Sequence, residues 1–173
     1  HSGDGGEVNI IAQNGDIDIG RSILTYSTVT LSNGRETGTG GNISLRADNG
    51  SIRVSAAFPT DDSVLRASSK ASRREADNGG NIDLIARNGS IDIAGSLDTS
   101  STAGDEEAGE AGNVTLTAGS GITTGAILAN SGAYGGEDAG AGGDVIIEAN
   151  NSNVSIIRIN TSSSAADDNA QPG

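Results

Sequence analysis

Cysteine, methionine and tryptophan are absent from the 173 residues, proline occurs twice, and histidine occurs once, at position 1. Without cysteine there is no disulfide scaffold and no thiolate zinc site. A lone terminal histidine rules out a histidine-based triad and a histidine-rich metal centre. Aromatic residues make up 2% of the chain, too few for the stacking platform of a single-strand nucleic-acid binder. The net charge of −13 repels a phosphate backbone as well. No apolar run approaches the roughly 20 residues that cross a bilayer as a helix. His1 is no ordinary translation start and no methionine follows it, which predicts a processed product or a section of something longer.

What the chain does have is 27 glycines and a repeat. The fullest copy runs Gly79-Gly80-Asn81-Ile82-Asp83-Leu84-Ile85-Ala86-Arg87-Asn88-Gly89-Ser90-Ile91-Asp92-Ile93. Apolar residues at every second position give the period of a strand with one buried face. Asn-Gly then interrupts, two residues that tolerate the left-handed backbone of a sharp bend, and a second short alternation follows. Copies open at Gly5, Gly40, Gly79, Ala111 and Gly142, in steps of 35, 39, 32 and 31 residues. The bend is marked by Asn14, Asn49, Asn88 and Asn151, and by Gly119-Ser120-Gly121 in the fourth copy. The asparagines are expected to form an amide ladder between copies.

Aligned by copy, the inward positions form columns of like residues. They are Val8, Ile43, Ile82, Val114, Val145; Ile10, Leu45, Leu84, Leu116, Ile147; and Ala12, Ala47, Ala86, Ala118, Ala149. Beyond the bend come Ile17, Ile52, Ile91, Ile122, Val154, then Ile19, Val54, Ile93, Thr124, Ile156. Facing sheets of a sandwich need complementary residues and give no reason for such columns. A coil that lies on the previous coil at strand spacing does. The expected fold is all-β: a right-handed parallel β-helix, or solenoid, of about five coils, each with three short strands and a variable loop. Residues 1–173 form one solenoid segment with coils starting near 5, 40, 79, 111 and 142.

Each copy closes on Leu or Ile with Ser three residues later. The tetrapeptides start at Leu24, Leu65, Leu97, Leu128 and Ile159, and the last three are 31 residues apart. This aligns Tyr26 with Ala67, Thr99, Asn130 and Thr161. The stretches 28–39, 69–78, 101–110, 132–141 and 163–173 lack an apolar rhythm and read as surface loops. Residues 56–62, with Phe58-Pro59, read as an insertion in copy two.

Charge is uneven. From Asn88 onward there are twelve acids and one base, whereas residues 1–87 hold eleven acids and nine bases. Bases gather in copy two at Arg46, Arg53, Arg66, Lys70, Arg73 and Arg74, which reads first as a solvated face and, alternatively, as a docking patch for an acidic coil or an anionic glycan. Asp18, Arg53 and Asp92 share one outward position, so stacking predicts an Asp–Arg–Asp column that helps set register.

Catalysis is not expected. The paired acids (Asp61-Asp62, Asp105-Glu106-Glu107, Glu137-Asp138, Asp167-Asp168) stand in loops of small residues, without an aromatic or a neighbouring base to tune them. No cofactor is expected. Calcium is the one metal that such oxygen ligands suit; its candidates are Asp105, Glu106, Glu107, Glu137 and Asp138, on neighbouring coils.

The recurring Gly-Gly-Asn-Ile/Val-x-Leu-x-Ala, Asn-Gly-Ser-Ile-x-Ile and Leu-x-Thr-Ser is similar to the repeats of filamentous-haemagglutinin-like exoproteins, especially long cyanobacterial ones. Residues 112–118 with 121–125 look most like them, and the resemblance covers nearly the whole chain. It implies a β-helix rod exported by two-partner secretion to the cell surface or beyond, with an adhesive role and no catalytic residues. Its expected partners are neighbouring coils or further copies of the same protein, and surface or matrix glycans. The alternatives are a filament subunit stacking end to end and, with least support, a polysaccharide-active β-helix enzyme.

Overall fold

The computed structural model describes residues 2–30, 36–55, 63–135, 138–150 and 152–166. Among these residues there is no helix, and every strand pairing is parallel. The first coil carries β1 (Val8–Ala12), β2 (Ile17–Ile19), β3 (Ile23–Leu24) and β4 (Ser27–Val29). The second carries β5 (Ile43–Ala47), β6 (Ile52–Val54), β7 (Ser63–Arg66) and β8 (Ser69–Ala71). The third has β9 (Ile82–Ala86), β10 (Ile91–Ile93), β11 (Ser96–Asp98) and β12 (Ser101–Ala103). In the fourth, β13 (Val114–Ala118) and β15 (Ser131–Ala133) flank one long strand, β14 (Ile122–Leu128). In the fifth, β16 (Val145–Ala149) and β18 (Ser163–Ala165) likewise flank β17 (Val154–Asn160).

The coils build three parallel sheets. One stacks β1, β5, β9, β13 and β16 in chain order, and another stacks β4, β8, β12, β15 and β18. The sheet between them holds the remaining strands, with β14 and β17 each spanning what two shorter strands cover in the earlier coils. Five stacked rungs make four axial steps, so the solenoid rises through about four turns at roughly 4.8 Å per rung.

The columns stack as the alternation requires. Val8 pairs with Ile43, Ile43 with Ile82, Ile82 with Val114 and Val114 with Val145. In the middle rungs the inward residues are sealed; Leu45, Leu84, Leu116, Ile52 and Ile122 are each 0% exposed. Thr124, the one polar member of its column, is also buried, with its Oγ1 3.5 Å from the Gly95 carbonyl oxygen.

Glycine has a different role at the bends from the one the sequence suggests. Among the described residues only Gly15 has a left-handed φ, at 129°. At Gly50, Gly89 and Gly119 the requirement is closeness: an added Cβ would lie 2.1–2.2 Å from a carbonyl oxygen of the rung below. Beside them the amide ladder forms. Asn49 Nδ2 donates to Asn14 Oδ1 at 3.1 Å, and Asn88 Nδ2 donates to Asn49 Oδ1 at 3.0 Å. Asn151 lies outside the described residues, as does the insertion at 56–62.

The Gly-Gly openings pinch the coil shut. Gly41 N–H donates to the Thr25 carbonyl, Gly80 to Ala67, Gly112 to Thr99 and Gly143 to Ala129, at 2.6–2.8 Å. Two threonines tighten the same corner: Thr25 Oγ1 donates to Gly41 O at 2.6 Å and Thr99 Oγ1 to Gly112 O at 2.7 Å. A Cβ on Gly40 or Gly79 would fall 1.9–2.0 Å from the carbonyl of Ala67 or Thr99.

This closure divides the interior in two, which corrects the reading of the loops. The large aliphatic core lies on one side of the pinch. On the other, stretches expected to be loops begin with the strands of the third sheet. Ala71, Ala76, Ala103, Ala108 and Ala133 pack into a second, smaller core there, with Ala76, Ala108 and Ala139 bridged in parallel. Alanine and serine give no apolar rhythm, yet their small side chains let three walls close on a narrow lobe.

The closing signature also shifts. Ile23, Leu65, Leu97, Ile127 and Ile159 form one column, so Ile23 and Ile127 take the places expected for Leu24 and Leu128. Backbone bonds then align Tyr26 with Ser68, Ser100, Asn130 and Ser162, not with Ala67, Thr99 and Thr161. A one-residue slip exchanges the faces of a strand; Leu24 accordingly points outward and is 45% exposed.

Candidate functional site

Outward side chains from consecutive rungs form two surface features, a groove and a column of acids. The groove, about 390 Å³, runs where the second and third sheets meet. Arg66 and Asp98 stack on neighbouring rungs along one wall. Thr28, Lys70 and Thr102 stack along the other. Ser68, Ser100 and Asn130 line its base. The two tyrosines of the protein, Tyr26 on the first rung and Tyr134 on the fourth, both line it.

Each wall has a local cause. Asp98 is buried and held in place: Ser100 donates to its Oδ1 from the backbone N–H at 3.0 Å and from Oγ at 2.6 Å. Its Oδ2 lies 3.3 Å from Arg66 Nε. The Arg66 guanidinium sits over the Tyr26 ring at 5.6 Å from the centroid, a cation–π distance. Tyr134 is 67% exposed, and its ring lies along Gly132, where an added Cβ would be 3.8 Å from the ring Cζ. Lys70 is exposed and makes no ion pair with a described residue.

The acids line the lobe of the third sheet. Thr37 N–H donates to Glu75 O, Ala76 to Glu107 O and Ala108 to Asp138 O, which sets Glu36, Glu75, Glu107 and Asp138 on successive rungs. Three of them edge a hollow of about 320 Å³ with Thr37 and Asp77. Burial raises the Glu75 carboxyl above its ordinary value, reinforced by the negative charges of Glu36, Glu107 and Glu106.

Four of the five calcium candidates lie among the described residues. Glu106 is engaged by Arg74, whose Nη1 donates to its Oε1 at 2.7 Å. Glu107 and Asp138 belong to the axial column, Asp105 is exposed in the turn beyond β12, and Glu137 lies outside the described residues. Among the described residues no three His, Cys, Asp or Glu side chains are placed to hold a metal ion. The acid pairs at 61–62 and 167–168 also lie outside them.

Most bases of the second coil tie rungs together or brace their own strand. Arg46 and Arg87 both hold Asp48, at 2.8 and 3.3 Å, and the hydrogen bond from Arg46 lowers the Asp48 carboxyl below its ordinary value. Arg53 stacks between Asp18 and Asp92 as expected. Its ion pair, however, is with Asp16, at 3.6 Å. On the outer face of the first sheet, burial raises the Asp83 carboxyl.

The groove escapes a reading along the chain because it joins residues about 30 apart. Its one sequence signal was the placement of both tyrosines close behind the closing signature, which the slipped alignment obscured. No family model, no curated protein and no solved structure matches the chain, so what the fold establishes is a parallel β-solenoid.

Proposed function

We propose that this chain is a non-catalytic segment of an extracellular or cell-surface rod, with an adhesive role and its contacts made through side chains on the outside of the coils. The observation that carries this reading is the unbroken stacking of like residues through all five rungs. A core built that way extends by repetition and presents outward columns at a regular axial spacing. The similarity of the repeat to filamentous-haemagglutinin-like exoproteins supports secretion and adhesion. The placement of the acids supports the non-catalytic part: Asp98, Asp48 and Glu106 are held by arginines, and the remaining column is strung along the axis. The test pairs solution scattering with adhesion. A rod-shaped particle that adheres to cell-surface or matrix material without cleaving acidic polysaccharides is the expected result. Turnover of a polysaccharide, with or without calcium, would overturn it.

A second reading, a filament subunit stacking end to end, is favoured by the end rungs. Val154 and Ile159 are 46% and 47% exposed, whereas Ile122 and Ile127, beneath them in the same columns, are 0% exposed. Ile10 is 38% exposed while its neighbour Leu45 is sealed. Uncovered strand edges and core columns invite another layer. Sedimentation across a concentration series separates the readings: a constant monomer mass supports the rod segment, and growth into fibres supports the subunit.

A further inference from the structure

We infer that the groove between the second and third sheets is a binding site for a carboxylated glycan chain, a polyuronate, lying parallel to the solenoid axis. This rests on the adhesive reading and assigns it a site and a ligand class. Four properties of the groove lead there. It is elongated: Tyr26 and Tyr134 mark the first and fourth rungs, three steps or roughly 14 Å apart at strand spacing, which is the length of a short oligosaccharide and not of a compact metabolite. It carries an aromatic ring towards each end, Tyr26 at 40% and Tyr134 at 67% exposure, each with an apolar body able to cover a sugar ring and a hydroxyl left to hydrogen-bond. Both tyrosines of a chain this poor in aromatics line one groove.

The stretch between the rings is polar. Ser68, Ser100, Asn130, Thr28 and Thr102 supply hydroxyl and amide groups facing the groove, which suits a ligand dense in hydroxyls. The charge settles the class. Asp98 is neutralised within the wall by Arg66 and by two hydrogen bonds from Ser100. Lys70, between Thr28 and Thr102, is thereby the uncompensated charge among the groove residues. A protein of net charge −13 that keeps a lysine exposed on the second rung of such a groove is matched by a ligand that brings its own carboxylate. The sugar faces rest on the tyrosines and a carboxylate between them meets Lys70 Nζ.

The test is calorimetric titration of the full chain with tetragalacturonate in calcium-free buffer, beside neutral galactotetraose. Tetragalacturonate is expected to bind, more weakly as salt rises, and galactotetraose about tenfold less tightly or not at all. Lys70→Gln and Tyr134→Ala should each weaken binding about tenfold, and Lys70→Arg should restore most of it. Both positions are exposed, and unchanged circular dichroism checks that the fold is kept. No binding by the wild-type chain, equal binding of both sugars, or binding indifferent to Lys70→Gln and Tyr134→Ala would each overturn the assignment. Adhesion of the same variants to cell-surface material separates the two readings. Adhesion that survives loss of the groove leaves the rod reading intact, and wild-type adhesion that fails while tetragalacturonate binds rejects the rod reading alone.

Discussion

Atoms absent at Gly40 and Gly79 do as much for the fold as those present at Leu84. At the pinch between the two cores, the carbonyls of Ala67 and Thr99 occupy the space a β-carbon would need. Gly40→Val therefore forces the closing corner apart, and a loss of roughly 2–4 kcal/mol is expected in denaturant titration. Leu84→Ala leaves a hole in a sealed column and should cost about 2–5 kcal/mol. Ile10→Ala removes a side chain from the equivalent place on an uncovered rung, so about 1 kcal/mol is expected there. The order Leu84 above Ile10 follows from coil position alone, because both residues point inward in the same column. Equal losses would mean that the first rung is covered.

Among the elements, the lobe beside the third sheet carries one pH response, at Glu75. In the folded protein Glu75 holds its proton more tightly than in the unfolded chain, first through burial and then through the neighbouring carboxylates. The stabilising contribution is thus fully present below the ordinary value of 4.5 and lost as pH rises through the raised one. Asp83 has the same sign, for burial alone. Asp48 has the opposite one: its contribution is present above 3.8 and lost as pH falls through the lowered value. The windows separate, so melting as pH falls from neutral towards 4.5 should show stability rising on acidification. Glu75→Gln should flatten that rise and melt higher than the wild type at pH 7; an unaltered slope would show that the column is too well solvated to matter. This is also the part of the molecule that sequence reading missed. Columns of Ile, Leu and Val announce themselves by alternation, and the first two strands of every coil are legible in them. Ser-x-Ala strands have no such contrast, and the third sheet passed for loop. Where two apolar residues adjoin, as in Ile23-Leu24 and Ile127-Leu128, alternation alone leaves the anchor undecided, and the column that would have drawn Tyr26 beside Ser68, Lys70 and Arg66 slipped with it.

As a whole, the molecule is a stack in which each rung is stabilised by its neighbours, so stability should be graded along the axis and not shared evenly. Local opening then runs from nearly free at an uncovered rung up to the global value in the middle. Hydrogen exchange at low protein concentration is expected to show slowest exchange in β9, β10 and β13, and fastest in β1 and in β16 to β18. The polar ladders run in the same direction: the side-chain oxygens of Asn42, Asn81 and Asn113 each accept the backbone N–H of the next rung, at 2.7–2.8 Å, ending at Asp144. Asp144 thus stands at the head of a row of acceptors, and Glu7 occupies the foot of that column one residue before Val8. Addition of a rung above Asp144 would bury Val154 and Ile159 and give its carboxylate the N–H that each asparagine below already has. Exchange repeated at rising protein concentration therefore decides what covers the ends. Protection in β17 that climbs towards that of β14 as concentration rises means a second copy has stacked there. Protection that stays low at every concentration counts against end-to-end stacking of copies. A flat profile along the axis, already present in the dilute monomer, would contradict nearest-neighbour stabilisation itself.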